Sequence, residues 1–327
     1  ATCNLARSGK VAIQFRVGEG TSPRPPRRRN GVTSVRGLRL ARVRTAEQPG
    51  QYSMIRFLSI CQNTFTQTIR QPVYGVLLLA TFLMLVLAVP LSNWAMGTDY
   101  EVTNQKMLES TGLTTLLVGS LFMAAFSASG ALAREIEDRT ALTVISKPVG
   151  RATFVAGKFT GVAGAALLFY YLASLAYLMT VRHRALPAAS DPYDWPVIVL
   201  GFSSLGLAIV VAILGNLLFS WSFTSAAVYS AAVLMSVAMG LITFLGKGWT
   251  IVPFGTGLYP QLLVALLMLF LAVLVFVATA VAASTRLGQV MTLLICCGVF
   301  VLGSIHEYLF GYWNDRIVLS RPLGWLC

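Results

Sequence analysis

Charge is what this chain has least of. Charged residues make up 11% of it while 56% are hydrophobic, and the mean hydropathy is +0.72, against about 25% charge in an ordinary soluble domain. A soluble fold could not cover that much apolar surface, so the composition points to the bilayer as solvent. Histidine is also scarce: His183 and His306 stand far apart with no cluster around them, which argues against a metal site. The cysteines Cys3, Cys61, Cys296, Cys297 and Cys327 show no metal-ligand spacing, and two are adjacent inside an apolar block. They read as small membrane-buried hydrophobes. Strand-type alternation is absent throughout, which excludes a membrane β-barrel.

What the chain does have is long apolar blocks. Crossing about 30 Å of hydrocarbon at about 1.5 Å per residue takes about 20 apolar residues. Seven blocks approach or exceed that length, at residues 73–91, 113–133, 159–181, 197–219, 224–245, 261–283 and 287–305. Charge, Pro, Gly or aromatic residues separate them, although Trp221 and Ser222 mark only a weak break between the fourth and fifth. The expected fold is an all-α polytopic membrane protein with about seven transmembrane helices in this chain, spread over residues 73–327. Seven spans leave the C-terminus opposite the N-terminus, so an eighth span beyond Cys327 is expected.

The net charge of +13 is unevenly held, because residues 1–50 carry eleven Lys or Arg against Glu19 and Glu47. This tail, centred on SPRPPRRRNG, has no membrane-length apolar run and reads as disordered. One reading makes it an arm for nucleic acid or anionic lipid. The favoured one follows from Met54, which stands immediately before organised sequence. Residues 1–53 are then upstream-translated or otherwise non-functional, and no nucleic-acid partner is expected. A secretory signal is excluded because no apolar segment follows the charges until Val73, and that block is of full spanning length.

Residues 54–72 form an amphipathic pattern. Met54, Leu58, Cys61, Phe65 and Ile69 recur at helical spacing opposite Arg56, Gln62, Gln67 and Arg70, which predicts a helix lying along the inner membrane surface and ending near Pro72. Cytoplasmic loops are enriched in Lys and Arg. A cytoplasmic N-terminus gives inner segments carrying Arg56, Arg70, Arg134, Arg139, Lys147, Arg151, Lys158 and Arg286. The outer ones carry Lys106, Arg182, Arg184, Lys247, Arg316 and Arg321, together with the acidic segment of Asp99, Glu101 and Glu109. The first three spans set this orientation, whereas Arg182 and Arg184 run against it.

The inner segment 134–158 holds the densest charge. Its Gly157–Lys158 pair suggests a phosphate loop, which requires G-x-x-x-x-G-K-[ST] so that backbone amides wrap phosphate and a hydroxyl binds magnesium. The required glycine and hydroxyl positions are Ala152 and Phe159, so a nucleotide site is excluded. Gly157, Gly161 and Gly164 instead give the third span a small face for close helix packing, and Lys158 is expected to anchor its inner end. Glu135, Glu137 and Asp138 follow the second span directly. The apolar Ile136, Leu142 and Ile145 predict that its helix continues beyond the membrane until Pro148 breaks it. Two readings stand side by side: a solvated helix end with a turn, or a charged lever rooted in two spans.

The stretch EIEDRTALTVISKPVGRATFVAGKFTG closely resembles the loop between the second and third spans of ABC-2 type permeases, notably the multi-copper-maturation and gliding-type branch. The match is contiguous over that loop, and looser similarity runs from about Met54 onward. The resemblance implies a permease subunit working with two copies of a separate ABC ATPase subunit and with a second permease copy or homologue. It assigns Glu135, Glu137, Asp138, Arg139 and Thr140 to ATPase contact, Pro148 and Arg151 to the turn, and Lys158 to the return into the membrane. Six spans are usual in that family, fewer than the seven found here. The expected protein is no enzyme by itself, carries no cofactor and sits in the plasma (inner) membrane.

Another class is a secondary transporter or channel driven by an ion gradient. Such proteins place ionisable residues within spans, where this chain offers mainly Asn216 and Gln289. An intramembrane hydrolase requires a Ser–His or Asp–Asp constellation, and none is evident.

Overall fold

The computed structural model describes residues 49–92, 100–137, 151–184, 193–253 and 260–314, with side chains over 54–92, 103–130, 153–184, 193–253 and 260–305. Among the described residues the chain forms eight helices. They are α1 (Pro49–Ile69), α2 (Pro72–Ser92), α3 (Tyr100–Glu137), α4 (Arg151–His183), α5 (Trp195–Phe219), α6 (Phe223–Ile242), α7 (Pro260–Ser284) and α8 (Gln289–Asn314). Helices α2 to α7 are each long and apolar enough to cross a membrane, and the described apolar part of α8 covers Gln289–Ile305. Residues 1–48 of the basic tail fall outside the described residues, whereas 49–53, counted with the tail in the sequence, are helical and open α1.

Proline marks several helix starts. Pro72 and Pro260 open α2 and α7, and Pro196 is the second residue of α5; in the first turn the missing N–H has no helical partner to lose. The weak separator between the fourth and fifth apolar blocks is a sharp turn. Ser220 adopts a left-handed conformation (φ 54°) and the Trp221 amide donates to the Gly215 carbonyl at 3.2 Å. Asn216 donates from Nδ2 to the Trp221 carbonyl at 2.7 Å. The amide that sequence offers as an intramembrane polar group therefore closes an α5–α6 hairpin.

The two helices flanking the charged segment exceed their apolar blocks. At about 1.5 Å per residue, the 38 residues of α3 and 33 of α4 run about 57 and 50 Å, well beyond the hydrocarbon thickness. Glu101 and Glu109, expected in an outer loop, lie on α3. Apolar composition locates only the lipid-facing stretch, whereas helical hydrogen bonding continues past it.

The bundle is organised about α4, which packs against α2, α3, α5, α6 and α7, while α3 packs against α2, α4, α7 and α8. Small residues allow the close approach: Ala124, Ala125 and Ala128 of α3 and Ala165, Ala166 and Ala173 of α4 are all buried. Tyrosines of α4 then bridge to its neighbours. Tyr170 donates to the Leu266 carbonyl of α7 at 2.7 Å, Tyr177 to the Glu109 carbonyl of α3 at 3.2 Å, and Tyr171 shares a 2.7 Å hydrogen bond with Ser236 of α6. From α2, Tyr74 donates to the Ala165 carbonyl at 3.1 Å.

The glycine face of α4 receives α1. A Cβ at Gly157 would lie 2.9 Å from Ile60 Cγ2, one at Gly161 2.7 Å from the Cys61 carbonyl oxygen, and one at Gly164 3.2 Å from the Phe65 ring. Both sequences advance together through these contacts, so α1 runs lengthwise along the first turns of α4 rather than across them. The small-face expectation holds, and its partner is the amphipathic helix. Within the predicted apolar stripe, Ile69 is buried, whereas Met54 and Leu58 remain exposed beside the face that contacts α4.

Substituting Gly161→Ala is expected to destabilise the purified protein by about 1–3 kcal/mol through overpacking. Gly206→Ala on α5, where nothing lies within 4 Å of the added carbon, should be neutral or stabilising by up to about 1 kcal/mol. Unfolding curves of the two variants in one detergent would check both values.

Candidate functional site

Two regions of the bundle concentrate chemistry. The first is the end where α3 finishes and α4 begins. Glu135 and Glu137 lie in the last turn of α3, and Arg151 is the first residue of α4; their side chains lie outside the described residues, as do Asp138, Arg139, Thr140 and Pro148 entirely. Gly157, Gly161, Gly164 and Lys158 all fall on α4, with the glycines against α1. Lys158 is only 7% exposed, its Nζ 4.9 Å from the centre of the Phe154 ring, a cation–π arrangement. It also faces Ala128 of α3 and Val281 and Ser284 of α7. The inner-end lysine is thus enclosed by the bundle, where sequence suggested an interfacial anchor.

The second region is the opposite end of α4, which no sequence motif singled out. Arg182 donates from Nη2 to the Leu245 carbonyl at 3.1 Å, and its Nε stands 4.0 Å from Asp194 Oδ2. The Asp194 side chain is 2% exposed and that of Arg182 11%. Asp194 is also the N-cap residue of α5, where the helix dipole favours a carboxylate. Leu245 begins a short hairpin, bridged to Ile251 and closed by Gly246 N–H to the Thr250 carbonyl at 2.7 Å. Gly248 (φ 77°) supplies its left-handed turn, and Trp249 (φ 65°) follows in the same region. Arg182 therefore ties together α4, the start of α5 and the α6–α7 connection. Its conflict with the charge rule for loops has a local cause: the arginine serves an ion pair. The signal available in the sequence was the pair Asp191 and Asp194 between α4 and α5, which does not by itself say which of them meets Arg182.

Beside this cluster, a groove of about 360 Å³ lies between α2, α4 and α5. Leu85 and Val86, Met179 and His183, and Gly201 and Phe202 are among its walls, making them almost wholly apolar. His183 closes one end, 9% exposed and stacked on Tyr193 with ring centres 6.3 Å apart. Its Nδ1 has no hydrogen-bond partner among the described residues. Thr180, the other polar side chain in the wall, donates to the Ala176 carbonyl at 2.9 Å. Among the described residues no group of three His, Cys, Asp or Glu side chains is placed to hold a metal ion.

Six membrane-length apolar helices, a glycine- and alanine-lined interior and charge confined mainly to helix ends define an all-α polytopic membrane protein. Compared with protein-family models, with curated proteins and with solved structures, the chain matches none.

Breaking the ion pair from one side leaves a buried charge uncompensated. Arg182→Gln is expected to cost about 3–5 kcal/mol of stability, and the double variant Arg182→Gln/Asp194→Asn distinctly less. A double-mutant cycle on purified protein measures this, and equal costs for the single and double variants would mean that the pair carries no coupling.

Proposed function

We propose that this chain is the permease subunit of an ABC-2 type transporter, in which ATP hydrolysis by a separate subunit drives substrate across the membrane. What carries this reading is the continuity of α3 and α4. Each is an unbroken helix reaching into the bundle from the charged segment, α3 from Glu137 and α4 from Arg151, and α4 touches six other helices. A push at that segment would act on two long rods (about 57 and 50 Å), one of which holds the bundle together. Movement by alternating access follows: closure of two ATPase subunits displaces the segment, and the pathway between this permease and a second copy or homologue changes the side to which it opens.

Charge placement supports the same reading: Glu135 and Glu137 of α3 and Arg151 of α4 lie in the charged segment that adjoins both helices, where a charged partner would meet them. With the coupling end cytoplasmic, the N-terminus is also cytoplasmic and the protein resides in the plasma (inner) membrane.

A second reading, transport driven by an ion gradient, draws support from the burial of Lys158 within α4, since ionisable groups inside a membrane bundle mark ion routes. The two readings separate experimentally. Co-expression with a phosphate-loop ATPase, sought first in the adjacent reading frames, should give a co-purifying complex, and Glu135→Lys with Glu137→Lys should abolish it. Retention of the complex in that variant would sink the coupling assignment. Lys158→Met should leave ATP-driven transport in reconstituted vesicles within about threefold of the unaltered protein, a change of less than about 1 kcal/mol in barrier. Loss of gradient-driven transport in the same variant would favour the second reading.

A further inference from the structure

The junction that Arg182 makes has a histidine built into its apolar side. His183, the next residue of α4, is buried, with its ring stacked on Tyr193 and its flank in the groove wall beside Met179 and Val197. No hydrogen bond joins it to Asp194: His183 Nδ1 and Asp194 Oδ1 are each buried without a partner among the described residues. The Asp194 carboxylate instead faces Arg182 through Oδ2. Charged and titratable groups around the ring are few. From α4 itself come Arg182 and Arg184, from the start of α5 Tyr193 and Asp194, and from the α6–α7 connection Lys247. The strongest fields on the imidazole are those of Asp194 and Lys247, which are opposite in sign. Helix α2 presents only apolar side chains to the same groove, between Phe82 and Pro90, and Glu109 of α3 meets α4 further along, at Tyr177.

This arrangement suits a neutral imidazole and not a charged one. An imidazolium here would carry an N–H at Nδ1 with no acceptor beside apolar walls, and a buried charge without a hydrogen-bonded partner is strongly disfavoured. The carboxylate beside it is already engaged by a guanidinium, so a proton on His183 would leave three cations, Arg182, Lys247 and the ring, sharing a single anion. We propose that His183 is a proton-operated latch. While neutral, it lets the end of α4, the start of α5 and the hairpin at Leu245–Ile251 pack together; once protonated, it turns out to water and frees α5 and the hairpin from α4. The open state holds the extra proton, so opening is favoured as pH falls. Histidine is the side chain whose ordinary titration lies between about pH 5 and 8, which places the response in that window. The latch is independent of the ATPase-coupling reading and would act equally in a gradient-driven carrier.

Hydrogen exchange read by mass spectrometry follows local opening of this kind. The full chain in phosphatidylcholine nanodiscs is compared from about pH 8 down to about pH 5, with uptake corrected for the intrinsic pH dependence of exchange. Peptides covering 193–199 and 243–252 are expected to exchange faster as pH falls, by up to about tenfold per pH unit for a one-proton transition, while peptides within 115–125 of α3 stay unchanged. His183→Phe keeps a ring in the same space without a titrating nitrogen and should remove the pH dependence. His183→Gln serves the same purpose should the phenylalanine variant fail to fold. Lys247 is exposed, so Lys247→Met should leave the fold intact, and loss of its repulsion should move the midpoint to higher pH. A flat profile in the unaltered chain, exchange that slows on acidification, a pH response that survives in His183→Phe or His183→Gln, or a midpoint that Lys247→Met does not raise overturns the proposal.

Discussion

The structure depends on how closely other helices can approach α4. Inside a bilayer, lipid tails are as apolar as leucine, so burying leucine between helices gains little. Packing and hydrogen bonds must hold the bundle instead. Helix α4 meets this constraint with two kinds of residue. Glycine and alanine remove side-chain bulk where α1 and α3 come close, and tyrosine hydroxyls bond to carbonyls of neighbouring helices where the rings fill the space between. A carbonyl has two lone pairs, so a helix can accept a tyrosine proton without giving up its own hydrogen bond. The result is a central helix joined to six others, five through the span and α1 along its first turns.

That arrangement gives the two ends of α4 different characters. At one end it begins at the charged segment and is stiffened by α1, whose backbone lies against the glycine face. At the other it finishes in Arg182 and His183, where an ion pair with Asp194, a hairpin at Leu245–Ile251 and an apolar groove come together. One long helix thus joins the charged segment to the apolar groove at the opposite end of the bundle. Displacement at the first end cannot be absorbed locally, because close-packed interfaces repack as units instead of deforming gradually.

Much of the fold is legible in the chain itself. Each apolar block corresponds to a helix, because backbone polar groups in hydrocarbon must be satisfied within the segment. The Gly157–Gly161–Gly164 face announces close packing for the same reason that it fails as a phosphate loop: glycines one turn apart serve a helix neighbour, whereas Ala152 and Phe159 deny the loop its turn and its hydroxyl. The true lengths of α3 and α4 were less legible, since hydropathy sees lipid contact and not helical continuity. Arg182 was misleading when counted as a loop charge, because pairing with Asp194 removes it from the balance that topology rules weigh. The groove was not legible at all; Leu85, Met179, Gly201 and His183 are unremarkable in sequence and meet only through packing.

The sequence by itself determined the solvent, the helical class, the approximate spans and the small face of α4, because all of these follow from local composition and from the cost of unsatisfied backbone in lipid. Tertiary structure alone decided that α1 is the partner of that face, that Lys158 is enclosed, that Arg182 joins three parts of the chain and that His183 closes an apolar groove. These depend on which helix faces which neighbour, and in a bilayer that choice rests on shape and on a few polar contacts between residues far apart in the chain.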